Sequence, residues 1–297
     1  MISIVISTYK PDNFRKFSEN VKLNIGVIYE IISIENPGLM GLCEAYNKGA
    51  EKAQYPYICF CHDDILINTP NWGQEVIDVF EENENAGLLG VAGGSYKPQT
   101  PSSWFFPGDE KYAKMNVTQV YPQNNEIAKC YKNPNNKILD SVVVLDGCWF
   151  CTRTAITKEF KFDQETFRSY HCYDIDYSLQ VAQKYQNLVT LGIELEHYSY
   201  GDFTIEWLEE SFKLYNKWKK VLPYYIGEIS TSEISRNEFN TFCFILARVE
   251  KHRKCIFQLL KLLYSYNFMK LVKWNKWILL NKYTWGGMYR ILRNKEV

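Results

Sequence analysis

The sequence lacks the features that would place it in a membrane-spanning or secreted class. None of its uninterrupted apolar runs reaches the roughly 18 to 20 residues that a spanning helix needs. No basic and apolar segment of the signal-peptide type opens the chain, because Met1 leads directly into the alternating, strand-like residues 2–6. We therefore expect a cytoplasmic protein, either free or peripherally bound at the inner face of the membrane.

The nine cysteines do not form the pattern of a disulfide scaffold. Their number is odd, and several stand in apolar runs such as residues 59–61, which is typical of reduced thiols packed as small hydrophobic groups. Cys148 and Cys151 form a lone C-x-x-C pair, and on a strand that spacing directs the two side chains to opposite faces. We expect reduced cysteines and no cysteine-based metal or redox site.

The composition favours one large folded domain with a smaller appendage. The chain has 297 residues, of which 46% are hydrophobic. Basic and acidic residues number 34 each, yet residues 248–297 hold 12 of the basic ones and only two acidic ones. A basic tail therefore follows an acidic body.

Hydrophobic periodicity and turn residues predict alternating strands and helices over the first two thirds of the chain. The predicted strands are residues 2–8, 27–34, 57–61, 88–92, 141–152 and 188–195, and the predicted helices are residues 12–23, 39–54, 72–82 and 174–185. This order is typical of a largely parallel, doubly wound sheet with ligands at the carboxyl ends of its strands. Residues 95–140 interrupt it with five prolines, and we expect a long excursion there.

From residue 205 the pattern is helical throughout. We place a soft boundary at that point. The prediction is an α/β domain over residues 1–205 and a helical, basic carboxyl-terminal extension over residues 206–297.

Candidate chemistry begins with His62-Asp63-Asp64, directly after the apolar strand at residues 57–61. Two carboxylates at the end of a strand form a seat for a hard divalent cation, which can bridge the phosphates of a nucleoside diphosphate. An arbitrary Asp-Asp pair is more often a turn cap beside a solvated side chain. The neighbouring motifs decide between these interpretations.

Further motifs follow one another in a fixed order and spacing. They are IVISTY at residues 4–9, ISIEN at 32–36, NKGA at 47–50, LDG at 145–147, FD at 162–163, HCYDID at 171–176 and HYS at 197–199. Together with residues 62–64 they resemble family 2 glycosyltransferases of the A-type fold, and the later ones are similar to a subgroup related to a streptomycin-biosynthesis protein. The resemblance covers roughly residues 2–220 and implies a mostly parallel, Rossmann-like α/β sheet.

The resemblance implies a nucleotide site at the ends of the early strands. Thr8 and Tyr9 line the pocket, Asn47 belongs to it, and Asp63 lies near the ribose or a phosphate. Glu35 contacts the base at a position where the family usually has aspartate. The implied nucleotide is uridine-based.

The resemblance also implies a metal site for Mn²⁺ or Mg²⁺. Asp64 matches the last acid of the family's D-x-D motif, which holds the metal. His62 replaces the first acid, so the seat has one carboxylate fewer and a third ligand becomes more important. His197 matches a family histidine that approaches the metal and the diphosphate, although by itself it is more often a hydrogen-bonded structural histidine.

Asp174 opens a predicted helix and matches the family's general base, which takes the proton of the attacking hydroxyl. By itself it is more often a helix cap, and that role would lower its pKa. Asp176 points about 200° away around the helix. On the acceptor side we expect Trp149 and His171. His171 fits ordinary packing equally well, and a strand aromatic such as Trp149 more often fills the core.

These motifs predict an inverting, metal-dependent glycosyltransferase that moves a sugar from a nucleotide-sugar donor, by resemblance a UDP-sugar, to a saccharide or lipid-linked acceptor. No nucleic-acid partner is expected. A sugar-nucleotide nucleotidyltransferase is an alternative, but residues 8–11 do not form the Gly-rich phosphate loop it needs. A non-catalytic carbohydrate-binding or scaffold protein is another; His62 favours it, and Asp64, Asp174 and His197 together oppose it.

The basic tail has two interpretations. Lys270, Lys273 and Lys276 fall within about 120° of one another on a single helix, with Trp274 and Trp277 beside them. Such a stripe suits peripheral contact with an anionic lipid surface. Alternatively, the aliphatic residues of the tail cover the main sheet, and the lysines balance the acidic body.

Overall fold

The computed structural model describes residues 1–108, 110–124, 126–199 and 203–293. The chain divides into two compact units, the first from residues 1–95 and 110–201 and the second from residues 96–109 and 202–297. The second unit therefore joins the predicted helical extension to a short segment of the predicted excursion.

In chain order the elements begin with β1 (Ile2–Thr8), α1 (Pro11–Asn24), β2 (Tyr29–Glu35), α2 (Leu42–Ala50), β3 (Tyr57–Cys61), β4 (Ile65–Ile67), α3 (Trp72–Glu82), β5 (Ala86–Gly90), β6 (Ala92–Gly94), β7 (Tyr96–Lys97), β8 (Ala113–Tyr121) and β9 (Glu126–Lys132). They continue with β10 (Leu139–Val142), β11 (Val144–Leu145), β12 (Trp149–Arg153), α4 (Thr154–Glu159), α5 (Tyr173–Val181), β13 (Gln186–Thr190) and β14 (Leu195–Tyr198). The last are α6 (Ile205–Trp218), β15 (Tyr224–Tyr225), α7 (Thr231–His252), α8 (Ile256–Leu263), α9 (Tyr266–Leu271) and α10 (Trp274–Arg293).

The first unit is built on a seven-stranded sheet with the order β10-β13-β5-β12-β3-β1-β2. β12 is antiparallel to both of its neighbours, and β10 is antiparallel to β13. The other five strands run in one direction. The prediction of a mostly parallel α/β sheet is confirmed. The inner strands β1 and β3 are buried along most of their length, as expected when both faces of a sheet are covered.

A second sheet in this unit has the order β11-β6-β8-β14-β4, with β9 paired to β8. The segment at residues 95–140, which we predicted to be a long excursion that interrupts the strand pattern, contains strands, including β8 and β9. That part of the prediction is wrong. Pro122 and Pro134 lie in the turns that follow β8 and β9, and β9 is a largely exposed strand. Its sequence therefore lacks the apolar signal of a buried strand.

Two predicted strands each prove to be several. Residues 141–152 contribute to β10 and β12 in the first sheet and to β11 in the second. Residues 188–195 span parts of β13 and β14, so His197 lies within β14 and not after it. Apolar periodicity does not separate consecutive strands that belong to different sheets.

The expectation of reduced cysteines is wrong for one pair. Cys59 on β3 and Cys151 on β12 stand directly opposite each other and form a disulfide with an S–S distance of 2.00 Å. They are 92 residues apart along the chain, so their pairing depends on the register of β12, which local sequence does not reveal. Cys148 is a free, buried thiol.

The second unit is mainly helical, as predicted, and has its own core. Phe212, Phe242 and Phe268 pack there together with Leu259 and Leu263 of α8. The alternative for the tail was that its aliphatic residues cover the main sheet. Two of them, Leu259 and Leu263, instead pack in the core of the helical unit.

A buried carboxylate holds the segment around Gln99 and Thr100 within the second unit. Glu238 of α7 accepts hydrogen bonds from the backbone N–H groups of Gln99 and Thr100 and from the Thr100 hydroxyl, at 2.6–2.9 Å. These bonds satisfy a side chain that is fully buried.

The predicted stripe of three lysines on one helix is wrong. Lys270 lies in α9, Lys276 lies in α10, and Val272 between them has an extended backbone that ends α9. Across the described ranges, no helix has both the length and the apolar character that crossing a membrane requires.

Candidate active site

The ends of β3 and β14 bring three potential metal ligands together. His62 and Asp64 follow β3, and the N–H of Tyr198 donates to the C=O of Asp64 at 2.8 Å, which ties β14 to that turn. Asp64 Oδ1 lies 3.8 Å from His62 Nδ1 and 3.6 Å from His197 Nε2. One ligand atom from each of the three side chains lies within 4.8 Å of the others. The predicted ligands Asp64 and His197 are therefore neighbours.

Two buried atoms of this cluster have no hydrogen-bond partner among the described residues. They are Asp64 Oδ1 and His197 Nε2, which face each other at a distance longer than a hydrogen bond. Leaving buried polar atoms unpaired is costly, and a bound cation would satisfy both. A cation with ligands about 2.1 Å away needs donors about 3 to 4 Å apart. The unpaired atoms meet the first criterion, and the two distances from Asp64, 3.8 and 3.6 Å, meet the second.

The charges within the cluster are coupled. Burial disfavours ionisation of Asp64, but contact with His197 and the charge of His62 outweigh it and lower the pKa of Asp64. Burial lowers the pKa of His62, with Asp64 opposing. Burial also disfavours the charged form of His197, but contact with the Asp64 carboxylate outweighs it, and the pKa of His197 is raised. Metal binding needs an anionic Asp64 and neutral imidazoles, so His197 must release any proton it carries.

A hydrogen-bond chain orients His62. The Tyr173 hydroxyl donates to the C=O of Gly147 at 3.0 Å, so its oxygen accepts from Nε2–H of His62 at 2.7 Å. This assignment places the imidazole proton on Nε2 and leaves the lone pair of Nδ1 on the side of Asp64. Neither His62 nor Tyr173 had a positive role among the predictions. The signal for His62 was its place in the metal motif, because imidazole is itself a metal ligand.

Asp174 lies in the first turn of α5, as predicted, but it does not cap the helix. The N-cap position is Cys172, whose backbone adopts a left-handed φ of 61°. Asp174 Oδ2 accepts a hydrogen bond from the N–H of Gly147 at 3.0 Å. Burial and the charge of Asp146 raise the pKa of Asp174 to about 7, although three backbone N–H groups oppose the shift. Asp174 therefore lacks the lowered pKa that a cap role would give it.

Asp146 links the ligand cluster electrostatically to Asp174. Its charge raises the pKa of Asp174 and favours the charged forms of His62 and His197. One of its oxygens accepts the N–H of Cys148 at 2.7 Å. The LDG motif at residues 145–147 contained this signal, but Asp146 received no role from it.

Four of the predicted nucleotide residues lie at the ends of neighbouring strands or directly after them. The Thr8 hydroxyl donates to Asp63 Oδ2 at 2.7 Å. Glu35 stands opposite Thr8 in the register of β1 and β2 and lines an indentation of about 340 Å³ together with Lys48. Tyr9, next to Thr8, is exposed.

Other predicted site residues are engaged within the protein. Asn47 both donates to and accepts from the backbone of Phe162, at 2.9 and 3.1 Å. Trp149 is fully buried and packs edge-on against Trp72. His171 is half-buried and lies two residues before α5. The ligand roles of these side chains stay predictions.

Comparison with known protein families agrees with the fold and the motifs. The model of a glycosyltransferase-like family matches residues 2–215, and the chain belongs to this family. A comparison with curated proteins finds no match.

A solved structure of the same fold supports this assignment at low sequence identity. The chain is similar to GalNAc-T7 crystallised with UDP, GalNAc and Mn²⁺, at 11% identity and a TM-score of 0.52 over 85% of this chain. It spans 57% of the GalNAc-T7 chain. A197 from STIV matches at 11% identity and a TM-score of 0.39, with 67% of this chain and 86% of that chain covered. The predicted A-type glycosyltransferase fold is confirmed.

Gly147 offers a test of how tightly the site is packed. A Cβ at this position would lie 2.0 Å from the Tyr173 hydroxyl oxygen and 3.0 Å from Cβ of Asp174. We expect Gly147→Ala to lower the free energy of unfolding by about 1–3 kcal/mol in denaturant titrations. Gly286→Ala is the control, because its Cβ would meet only Arg290 Nη1, at 3.6 Å. Equal stability of the two variants would show that position 147 has room to spare.

Proposed function

We propose that this protein is a metal-dependent, inverting glycosyltransferase that uses a UDP-sugar donor and a hydroxyl acceptor on a saccharide or a lipid-linked sugar. The observation that supports the proposal is the half-buried cluster of His62, Asp64 and His197, with its two buried and unpaired atoms, in a chain of the glycosyltransferase-like family. The motif resemblance implies UDP, and the GalNAc-T7 structure of the same fold was obtained with UDP and Mn²⁺. The narrower streptomycin-related subgroup stays a prediction.

Three side chains would hold the cation. They are His62 through Nδ1, Asp64 through Oδ1 and His197 through Nε2. When bound, a divalent ion neutralises the charge that builds on the departing diphosphate. Of the two predicted ions, Mn²⁺ suits this set better, because Mg²⁺ prefers oxygen ligands and two of the three donors are imidazoles.

Asp174 acts as the general base in this proposal. Its pKa of about 7 gives it substantial proton affinity near neutral pH, which suits the removal of a proton from the attacking hydroxyl. The N–H of Gly147 holds one carboxylate oxygen in place. His171, two residues before α5, lies on the acceptor side.

In this proposal, residues at the ends of the early strands contact the nucleotide. Thr8 and Asp63 share a hydrogen bond and present a hydroxyl and a carboxylate to the ribose or phosphates. Tyr9 and Glu35 are exposed, and they contact the base. Asn47 contributes to this region by donating a hydrogen bond to the C=O of Phe162, which holds the segment that begins there.

Asp64→Asn tests the metal role. The amide replaces the carboxylate at nearly unchanged size, so we expect calorimetry to show Mn²⁺ affinity reduced at least about a hundredfold and UDP binding no longer dependent on Mn²⁺. His252→Gln is the control, because His252 lies in the second unit. If the unaltered protein bound UDP equally well with Mn²⁺ and with a chelator, the metal role would be wrong.

Tyr173→Phe tests the orientation of His62. The substitution removes the oxygen that accepts from His62 Nε2–H, and we expect Mn²⁺ affinity to fall by about 10- to 100-fold. Tyr177→Phe is the matched control on the same helix, since its hydroxyl has no hydrogen-bond partner among the described residues. Unchanged Mn²⁺ affinity in Tyr173→Phe would remove the hydrogen-bond chain from the mechanism.

Asp174→Asn tests the base. We expect transfer to slow by roughly 100-fold or more while UDP affinity changes only a few fold. Asp176→Asn is the matched control one half-turn along the same helix, where the side chain accepts from Gln180 Nε2 at 2.7 Å. Similar losses of turnover in the two variants would contradict the assignment.

The same residue sets a pH dependence. Because only the ionised carboxylate accepts a proton, kcat/KM should rise with pH as Asp174 ionises and level off above a midpoint at or below about 7. A bound cation favours the carboxylate, so it moves the midpoint downward. Asp174→Asn should lack this limb of the pH profile.

A further inference from the structure

The last helix, α10, carries a stripe of exposed apolar side chains that lie outside the core of the second unit. We call it the α10 stripe, and its residues lie within about 60° of one another around the helix: Trp274, Ile278, Trp285, Tyr289 and Leu292. Between 49% and 65% of each residue is exposed. The buried residues of α10 are centred roughly 135° away: Leu280, Thr284, Gly287 and Ile291. The stripe is therefore a surface separate from the packed face.

Aromatic contacts extend this surface to the end of α8. Nε1–H of Trp285 donates to the Tyr264 hydroxyl at 3.1 Å, and that hydroxyl donates to Asn281 Oδ1 at 2.6 Å. The half-buried Trp277 contacts the rings of both Tyr264 and Trp274. Indole and phenol rings combine an apolar body with a polar edge, which is why they settle at membrane–water interfaces.

The charge around the α10 stripe is mostly positive, with Glu250 of α7 paired to Arg290 of α10 at 2.7 Å. Residues 251–293 contain ten lysines and arginines and no aspartate or glutamate. Lys282 and Arg293 are exposed and lie about 60° and 80° around α10 from the centre of the stripe. Basic side chains beside an apolar surface complement the negative potential of anionic lipid headgroups.

From this juxtaposition we infer that the second unit binds peripherally to an anionic lipid surface through the α10 stripe. The helix lies along the surface, with the apolar side chains among the headgroups and the basic side chains on the phosphates. A second copy of the chain is a poorer occupant, because pairing the stripe with itself brings two positively charged surfaces together. The inference is independent of the transfer reaction, since lipid binding is measured without donor or metal.

Vesicle co-sedimentation of the full chain tests this inference. The probes are vesicles of pure phosphatidylcholine and vesicles of phosphatidylcholine and phosphatidylglycerol in equal parts. We expect binding to the anionic vesicles only, and weaker binding as salt rises. Two double variants, Trp274→Ala with Trp285→Ala and Lys282→Glu with Arg293→Glu, should each lower the partition coefficient at least about tenfold.

Matched controls come from the first unit. Ile127→Ala with Tyr131→Ala removes two exposed apolar side chains from β9, and Lys16→Glu with Lys22→Glu reverses two exposed charges on α1. Neither pair should change vesicle binding. Circular dichroism checks the folding of each variant. If the tryptophan variant does not fold, the exposed charge pair decides.

Three outcomes overturn the inference. The unaltered protein does not sediment with anionic vesicles at low salt, or the control pairs weaken binding as much as the α10 pairs. In the third, light scattering without lipid shows a dimer that Trp274→Ala with Trp285→Ala dissociates, which assigns the α10 stripe to a second copy.

Discussion

The candidate site depends on one half-buried carboxylate, Asp64, held between two imidazoles. A carboxylate partly removed from water needs close partners that offset its desolvation, and strand pairing helps to supply them here. β14 pairs with β4 so that His197 stands opposite Ile65, next to Asp64 in the chain, while His62 immediately precedes the Asp-Asp pair. The Tyr198 N–H bond to the Asp64 backbone fixes this arrangement. The fold itself thus brings these potential ligand atoms within 4.8 Å of one another.

A few residues connect this cluster to the proposed base. Tyr173 orients His62 and directly precedes Asp174 in the chain. The C=O of Gly147 accepts a hydrogen bond from the Tyr173 hydroxyl, and the N–H of Gly147 donates one to the Asp174 carboxylate. The pKa values of the two carboxylates are shifted in opposite directions. The imidazoles lower the pKa of Asp64, whereas burial and the charge of Asp146 raise the pKa of Asp174. In the proposed mechanism, these shifts keep Asp64 as an anionic ligand and Asp174 as a group with affinity for a proton.

The sequence predicted those elements whose formation depends mainly on residues close together in the chain. Apolar runs and turn residues predicted the bounds of β1, β3 and α3, and the metal motif drew attention to Asp64, which lies beside His62 and His197. Features that depend on long-range register were not predictable in this way. The Cys59–Cys151 disulfide requires the pairing of β12 with β3, and the role of His62 requires contact with Tyr173, 111 residues later. The raised pKa of Asp174 needs the burial and the neighbouring charge of the folded state.

Pulsed electron paramagnetic resonance of Mn²⁺ bound to the full chain tests the central claim most directly, because coupling to imidazole nitrogen identifies histidine ligands. We expect couplings from two imidazoles, of which His62→Gln removes one and His197→Gln the other, while His171→Gln changes neither. Bound Mn²⁺ without imidazole coupling, or with couplings that survive both substitutions, would contradict a metal site built from His62, Asp64 and His197.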